Sequence, residues 1–170
     1  MPRSEAEMVA LIDALLDLGM DLTKAEQTEA AVALDDRIVE RFADADSSRL
    51  RGRVGLALAS KAGLLAMLGD QEAAEDAQLV VVQRFGPETA DALRESAQRF
   101  SAGDQPRDRM QYVAARLNEA IIRAQLGQNS DATAIFDDLI AHYSSDENEM
   151  VASLIDQARE HRAFYDEPDA

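Results

Sequence analysis

The amino-acid sequence predicts an all-α fold of about eight helices paired as antiparallel hairpins. Three observations carry this expectation. First, the chain repeats itself: residues 41–85 align without a gap on residues 99–143, with eleven identities, and Phe85 meets Tyr143. A self-match of this size marks a helical repeat architecture. Second, 46% of the residues are hydrophobic but only 5% are aromatic, so alanine and leucine fill the apolar share. Those two are the best apolar helix formers. Third, the long segments keep apolar residues at helical period, and Leu18-Gly19, Leu68-Gly69 and Leu126-Gly127 punctuate them as glycine does just past a helix end.

The elements follow in order. Met8, Leu11, Ile12 and Leu15 share one face of a helix over 4–18, closed by Gly19. Ala31, Leu34, Ile38, Val39 and Phe42 do the same for 22–43. Ser47 or Ser48 caps a third helix over 47–68, whose stretch 55–68 is apolar nearly all round and so belongs at the centre of the core. The run Leu79–Val82 is β-like alone, but its helical flanks keep it in a helix over 71–86. Pro87 sits where a new helix can begin, and Leu93, Ala97 and Phe100 mark 87–101. Residues 101–108 read as a loop before a helix over 107–126. Ala132, Ile135, Phe136, Leu139, Ile140 and Tyr143 define 129–144. Asp146 is the expected N-cap of a last helix over 147–165, on which Val151, Leu154, Ile155 and Ala158 share a face. Short connections make neighbours pack as hairpins. The reading is one domain over 1–166 with a frayed tail at 167–170.

Composition excludes several functions. There is no cysteine, so disulfides, thiol catalysis and thiolate metal sites are out. The N-terminal apolar stretch is broken by acids, and no uncharged run is long enough to cross a membrane; with the missing cysteines this points to a cytoplasmic protein. The net charge of -16 opposes binding to nucleic acid or anionic lipid. The charge is uneven: residues 131–170 hold eleven acids against Arg159 and Arg162, whereas 47–69 hold Arg49, Arg51, Arg53 and Lys61 and no acid.

Residues 56–77 and 116–136 resemble tetratricopeptide repeats. In both, a helix with a small residue at its middle (Ala62, Ala120) ends in Leu-Gly (Gly69, Gly127), and a second helix carries an alanine five residues later (Ala74, Ala132). The resemblance covers about residues 47–144. The closer likeness is to divergent bacterial repeats, which Asp36 to Phe42 and Leu117 to Ala120 fit. The family's tryptophan is absent, and the unit length is 43 residues, from Phe42 to Phe85 and from Phe100 to Tyr143, with an extra segment at 86–99 between. The resemblance implies a right-handed stack of hairpins whose first helices line a shallow groove. That places Leu56, Ala59, Ser60, Gly63 and Met67 on the groove in one unit, and Ala114, Leu117, Asn118, Ile121 and Gln125 in the other. It also implies a non-catalytic module that binds a protein or peptide, or self-associates through an uncapped helical face, without a cofactor.

Asn118 matches a position that hydrogen-bonds a peptide backbone in related proteins; the alternative is a local bridge. Arg49 and Arg53 lie one turn apart at a helix start, where the dipole disfavours cations. They read as an anion site, or as partners of Asp35, Asp36, Asp44 and Asp46. Arg107 and Arg109 recur in register with Arg49 and Arg51, and Asp104 with Asp46, which favours a structural pairing made twice. The units differ at Arg53, Ser60 and Lys61 against Gln111, Asn118 and Glu119. The expected partner-binding residues are therefore Arg53, Ser60, Lys61, Met67, Asn118 and Gln125. His142 and His161 lack the spacing of a metal or catalytic motif, and Asp146, Glu147 and Glu149 read as a helix cap rather than a metal site. No catalytic residue or metal ligand is expected. The alternative reading is a small all-α enzyme or ligand carrier with a pocket between helices.

Overall fold

A computed structural model describes residues 4–103 and 105–165. Among them the chain is helical, with no strand, in seven continuous helical runs. These are α1 (Glu5–Lys24), α2 (Thr28–Phe42), α3 (Ser48–Met67), α4 (Gln71–Val80) continuing through a π turn (Val81–Phe85) into α5 (Gly86–Phe100), α6 (Pro106–Gln125), α7 (Asn129–Tyr143) and α8 (Glu149–Ala163). The expected tail at 167–170 and Asp104 lie outside the described residues. No helix among the described residues is long and apolar enough to cross a membrane. The chain divides into two compact units, with the boundary between Thr89 and Ala90.

In the first unit α1 opens with a capping box: the Ser4 hydroxyl accepts from the Glu7 N–H, and the Glu7 carboxylate accepts from the Ser4 N–H at 2.7 Å. The helix does not stop at Gly19. That glycine is buried inside α1, where Leu34 of α2 comes within 3.9 Å of the place a Cβ would occupy. Its end is set instead by a Schellman turn, in which the Gln27 N–H bonds the Leu22 carbonyl and the Glu26 N–H bonds the Thr23 carbonyl. The residue at the left-handed position is Glu26, with φ 61°. The same two bonds close α3 around Gly69 and α6 around Gly127. Each helix packs on the next from α1 to α4, and α1 also reaches α3. Ile12, Ile38, Val54, Ala57, Val81 and Phe85 lie buried, and burial of such side chains drives the packing at about 25 cal/mol per Å2. As expected, α3 runs through this core, and Ser47 is its N-cap.

The eighth separate helix is not present, because Pro87 does not start one. A proline inside a helix lacks an N–H donor and crowds the carbonyl four residues back, here that of Gln83. Gln83 lies in the π turn, whose wider winding accommodates the proline without a break. The Thr89 hydroxyl donates to the Phe85 carbonyl at 2.7 Å.

In the second unit α6, α7 and α8 pack on one another around Val113, Leu117, Phe136, Leu139, Val151 and Ile155. Pro106 occupies the first turn of α6, where its missing N–H costs nothing. The cap of α8 is Asn148, whose side chain accepts from the Met150 and Val151 N–H groups; Asp146 instead accepts from the Asn148 N–H.

The helix bounds give the repeat a simple length rule. Helices of 20 residues (α1, α3, α6) alternate with runs of 15 (α2, α4 plus its π turn, α7), and α5 is a further 15. The bounds of α1 and α2 shifted by 43 residues are those of α3 and the α4 run, so the register reaches the N-terminal hairpin as well. The 58-residue offset to α6 and α7 is the same unit lengthened by α5.

Candidate functional site

The ends of α1 and α3 leave an open cleft of about 390 Å3 in the first unit. Met20, Thr23 and Lys24 form one wall, and Ala59, Ser60, Gly63, Leu64 and Met67 the other. The cleft exists because α1 and α3 are both first helices of a hairpin and approach each other beside α2, while the exposed side of α3 carries an alanine and a glycine where larger residues would close the gap. Four of the five α3 positions expected on a groove line it (Ala59, Ser60, Gly63 and Met67). The α1 wall was missed, because Leu18-Gly19 read as a helix end, which left Met20 in a connection and assigned Thr23 and Lys24 to the start of the second helix. The 43-residue spacing from Glu26 to Gly69 was the signal that would have extended α1.

The basic residues are not gathered at this cleft as free cations. Arg53 is buried, and its Nε donates to the Asp13 carboxylate at 3.2 Å across α1 and α3. Arg49 is exposed, so the two arginines do not form one anion site. Lys61 pairs with Asp36 at 2.5 Å. Arg51 pairs with Glu88 at 2.8 Å, donates to the Arg84 carbonyl and lies over the Phe85 ring at 5.1 Å. In the second unit Arg109 pairs with Asp146, also at 2.8 Å. Arg109 and Asp146 each lie 58 residues after Arg51 and Glu88, so one ion pair is made in both units. The repeated arginine is structural, as its in-register recurrence implied, but its acids are Glu88 and Asp146 rather than any of the four aspartates expected from α2 and the following loop.

Burial raises the pKa of Glu88, but the Arg51 hydrogen bond and the glutamate's own backbone N–H outweigh it and hold the carboxyl below its usual value. For Asp146 the Asn148 N–H is the largest cause of a lowered pKa, with Arg109 adding to it against burial. Tyr143, facing Tyr112 with ring centroids 6.0 Å apart, is pushed up first by burial and then by Tyr112 and Asp138.

Asp35 on α2 was legible only as a candidate partner for arginine. It is buried, and neither carboxylate oxygen has a hydrogen-bond partner among the described residues. Desolvation pushes its pKa up to about 6. The nearby Ser60 hydroxyl, outside hydrogen-bond geometry, pulls it back; Asp36 raises it, and Lys61 lowers it. The second unit carries Leu93 at the matching position.

In that unit Asn118 and Gln125 are exposed on α6, whereas Leu117 is buried. Asn118 makes no local bridge among the described residues. Glu119, the counterpart of Lys61, is buried between Arg116 and Arg123, and Arg123 approaches at 2.8 Å. Ile121 stands where α3 has Gly63, and Gln125 where it has Met67, so the face of α6 is more filled and more polar. The six expected partner-binding residues are divided between the two units, four in the first and two in the second. Ser60 and Met67 line the cleft, Arg53 and Lys61 are held by acids, and Asn118 and Gln125 belong to α6.

His142 Nδ1 lies 2.8 Å from the Asp138 carbonyl on the surface, and the His161 ring stacks on Phe136 at 5.9 Å. Among the described residues no three His, Asp or Glu side chains are gathered to hold a metal ion. No family model, curated protein or solved structure matches the chain.

Proposed function

We propose that this chain is a non-catalytic helical repeat module, similar in plan to tetratricopeptide repeats, that binds a protein or peptide in the cleft between α1 and α3. The single observation that carries the reading is that open, apolar cleft, lined by the first helices of two successive hairpins. Two further features support it. The 43-residue unit recurs with conserved turn geometry at Glu26, Gly69 and Gly127, and contacts between first helices recur as α1 on α3 and α6 on α8. Right-handed stacking of such pairs follows from the family plan.

The experiment is a selection from a random peptide library displayed on phage, followed by affinity measurement on the purified chain. Enriched peptides should bind the wild type in the micromolar range, about -8 kcal/mol. Met67→Glu, at a side chain 69% exposed, should weaken them at least about tenfold without unfolding the protein. A selection that enriches nothing, or peptides indifferent to Met67→Glu, refutes the reading.

A further inference from the structure

We infer that the occupant of the α1–α3 cleft is a basic amphipathic helix from a partner protein; the inference rests on the peptide-binding reading above. Shape argues for a helix. Gly63 sits mid-helix in α3, and a Cβ placed there would meet nothing within 4 Å. A glycine in a helix interior costs about 1 kcal/mol relative to alanine, and local packing does not require it here. What it provides is a shallow place where another backbone can approach closely, with Ala59 one turn before it. Met20 and Met67, 40% and 69% exposed, stand on opposite sides of that depression. Unbranched thioether side chains adapt to apolar anchors of varied shape, as helix-binding grooves require.

Charge decides the sign of the partner. The cations nearest the cleft are already matched: Lys24 by Asp21 at 2.9 Å, Lys61 by Asp36 and Arg53 by Asp13. Exposed acids remain along the rim, with Asp17 one turn before Met20 and Glu26 at the turn that ends α1. The C-terminal ends of α1 and α3 add their negative dipole ends to the same side. A second copy of this chain is a poor occupant, because residues 1–89 alone hold 17 acidic against nine basic side chains, and like charge opposes its approach. A helix with an apolar strip flanked by lysine or arginine matches both the depression and its rim.

The test uses two fluorescein-labelled peptides of about 18 residues, long enough to become helical. Both carry leucines at i, i+4, i+7 and i+11; one has lysine on the flanks and the other glutamate. Anisotropy is measured against the full chain and against Gly63→Leu, which fills the depression while improving helix propensity. The lysine peptide should bind at least about tenfold tighter than its glutamate isomer and lose at least about tenfold on Gly63→Leu. It should also weaken on Asp17→Lys. Equal binding of both peptides, each blocked by Gly63→Leu, overturns the basic-helix inference and leaves the groove reading intact. Binding of the lysine peptide that ignores Gly63→Leu is general attraction to an acidic surface and overturns the inference. No binding of either peptide also overturns it, and the groove reading falls with it only if the phage selection fails too. A dimer seen by sedimentation and dissolved by Gly63→Leu would make a second copy the occupant and likewise overturn it.

Discussion

Glu26→Gly should stabilise the first unit. Glu26 is held at φ 61°, in the turn position that Gly69 fills at φ 86° and Gly127 at φ 75°. A residue with a Cβ pays about 1–2 kcal/mol to stand in the left-handed region. Glycine avoids that cost but loses about 0.4–1 kcal/mol through its greater freedom when unfolded. The glutamate side chain makes no hydrogen bond or ion pair among the described residues that the substitution would forfeit. The net gain is therefore about 1 kcal/mol. The reverse substitution, Gly127→Ala, should cost about the same, because a Cβ there meets nothing within 4 Å and backbone strain alone acts. The assay is equilibrium urea unfolding followed by far-ultraviolet circular dichroism, where unchanged slope and a shifted midpoint report stability. A destabilised Glu26→Gly together with a neutral Gly127→Ala would refute the claim that the three turns are one motif.

Other consequences can be checked in the same way. Asp35 binds its proton more tightly folded than unfolded, so its contribution to stability is present below pH 4 and lost as pH rises through about 6; Asp35→Leu, the residue the second unit carries, should gain about 2 kcal/mol near neutral pH and nothing in acid, and a loss at neutral pH would contradict its lack of hydrogen-bond partners. Gly55→Ala places a Cβ 1.7 Å from the Thr89 hydroxyl and 3.1 Å from the Phe85 Cβ, so it should cost at least about 2 kcal/mol in thermal unfolding, where an open site would instead gain about 1 kcal/mol from helix propensity. Asp146 has the opposite sign from Asp35, its pKa being lowered in the fold, so Asp146→Asn should destabilise at neutral pH and converge with the wild type as pH falls through the native pKa of Asp146. Arg109→Met should erase only the smaller part of that difference, because the Asn148 N–H is its larger cause, and a difference erased entirely would contradict that order.

Much of the architecture was legible because it is periodic. The apolar faces of α2, α7 and α8 follow helical spacing closely, and the self-match placed α3 with its partner over α6 with its partner. The cap at Ser47 and the turns at Gly69 and Gly127 are local chemistry and read directly. The errors share a cause: a residue type was given its commonest local meaning. Gly19 read as a helix end, but it is buried inside α1, where a Cβ would meet Leu34 of α2 at an ordinary contact distance. Pro87 read as a start, but a π turn absorbs it. Glu26 gave no turn signal because a glutamate rarely takes the left-handed conformation. Of the candidate site, Ser60 and Met67 came from counting back from a Leu-Gly turn, whereas Met20, Thr23 and Lys24 needed the true end of α1.

By itself the sequence determined the helical class and the 43-residue unit, and it favoured a pairing role for the repeated arginine, because periodicity, turn chemistry and in-register recurrence are local or internal properties of the chain. Tertiary structure alone decided which acids answer those arginines, that Asp35 is buried without a hydrogen-bond partner among the described residues, and that α1 and α3 leave a cleft at Gly63. These depend on which faces meet when helices distant in sequence pack together, and residue spacing within one helix carries no record of that meeting.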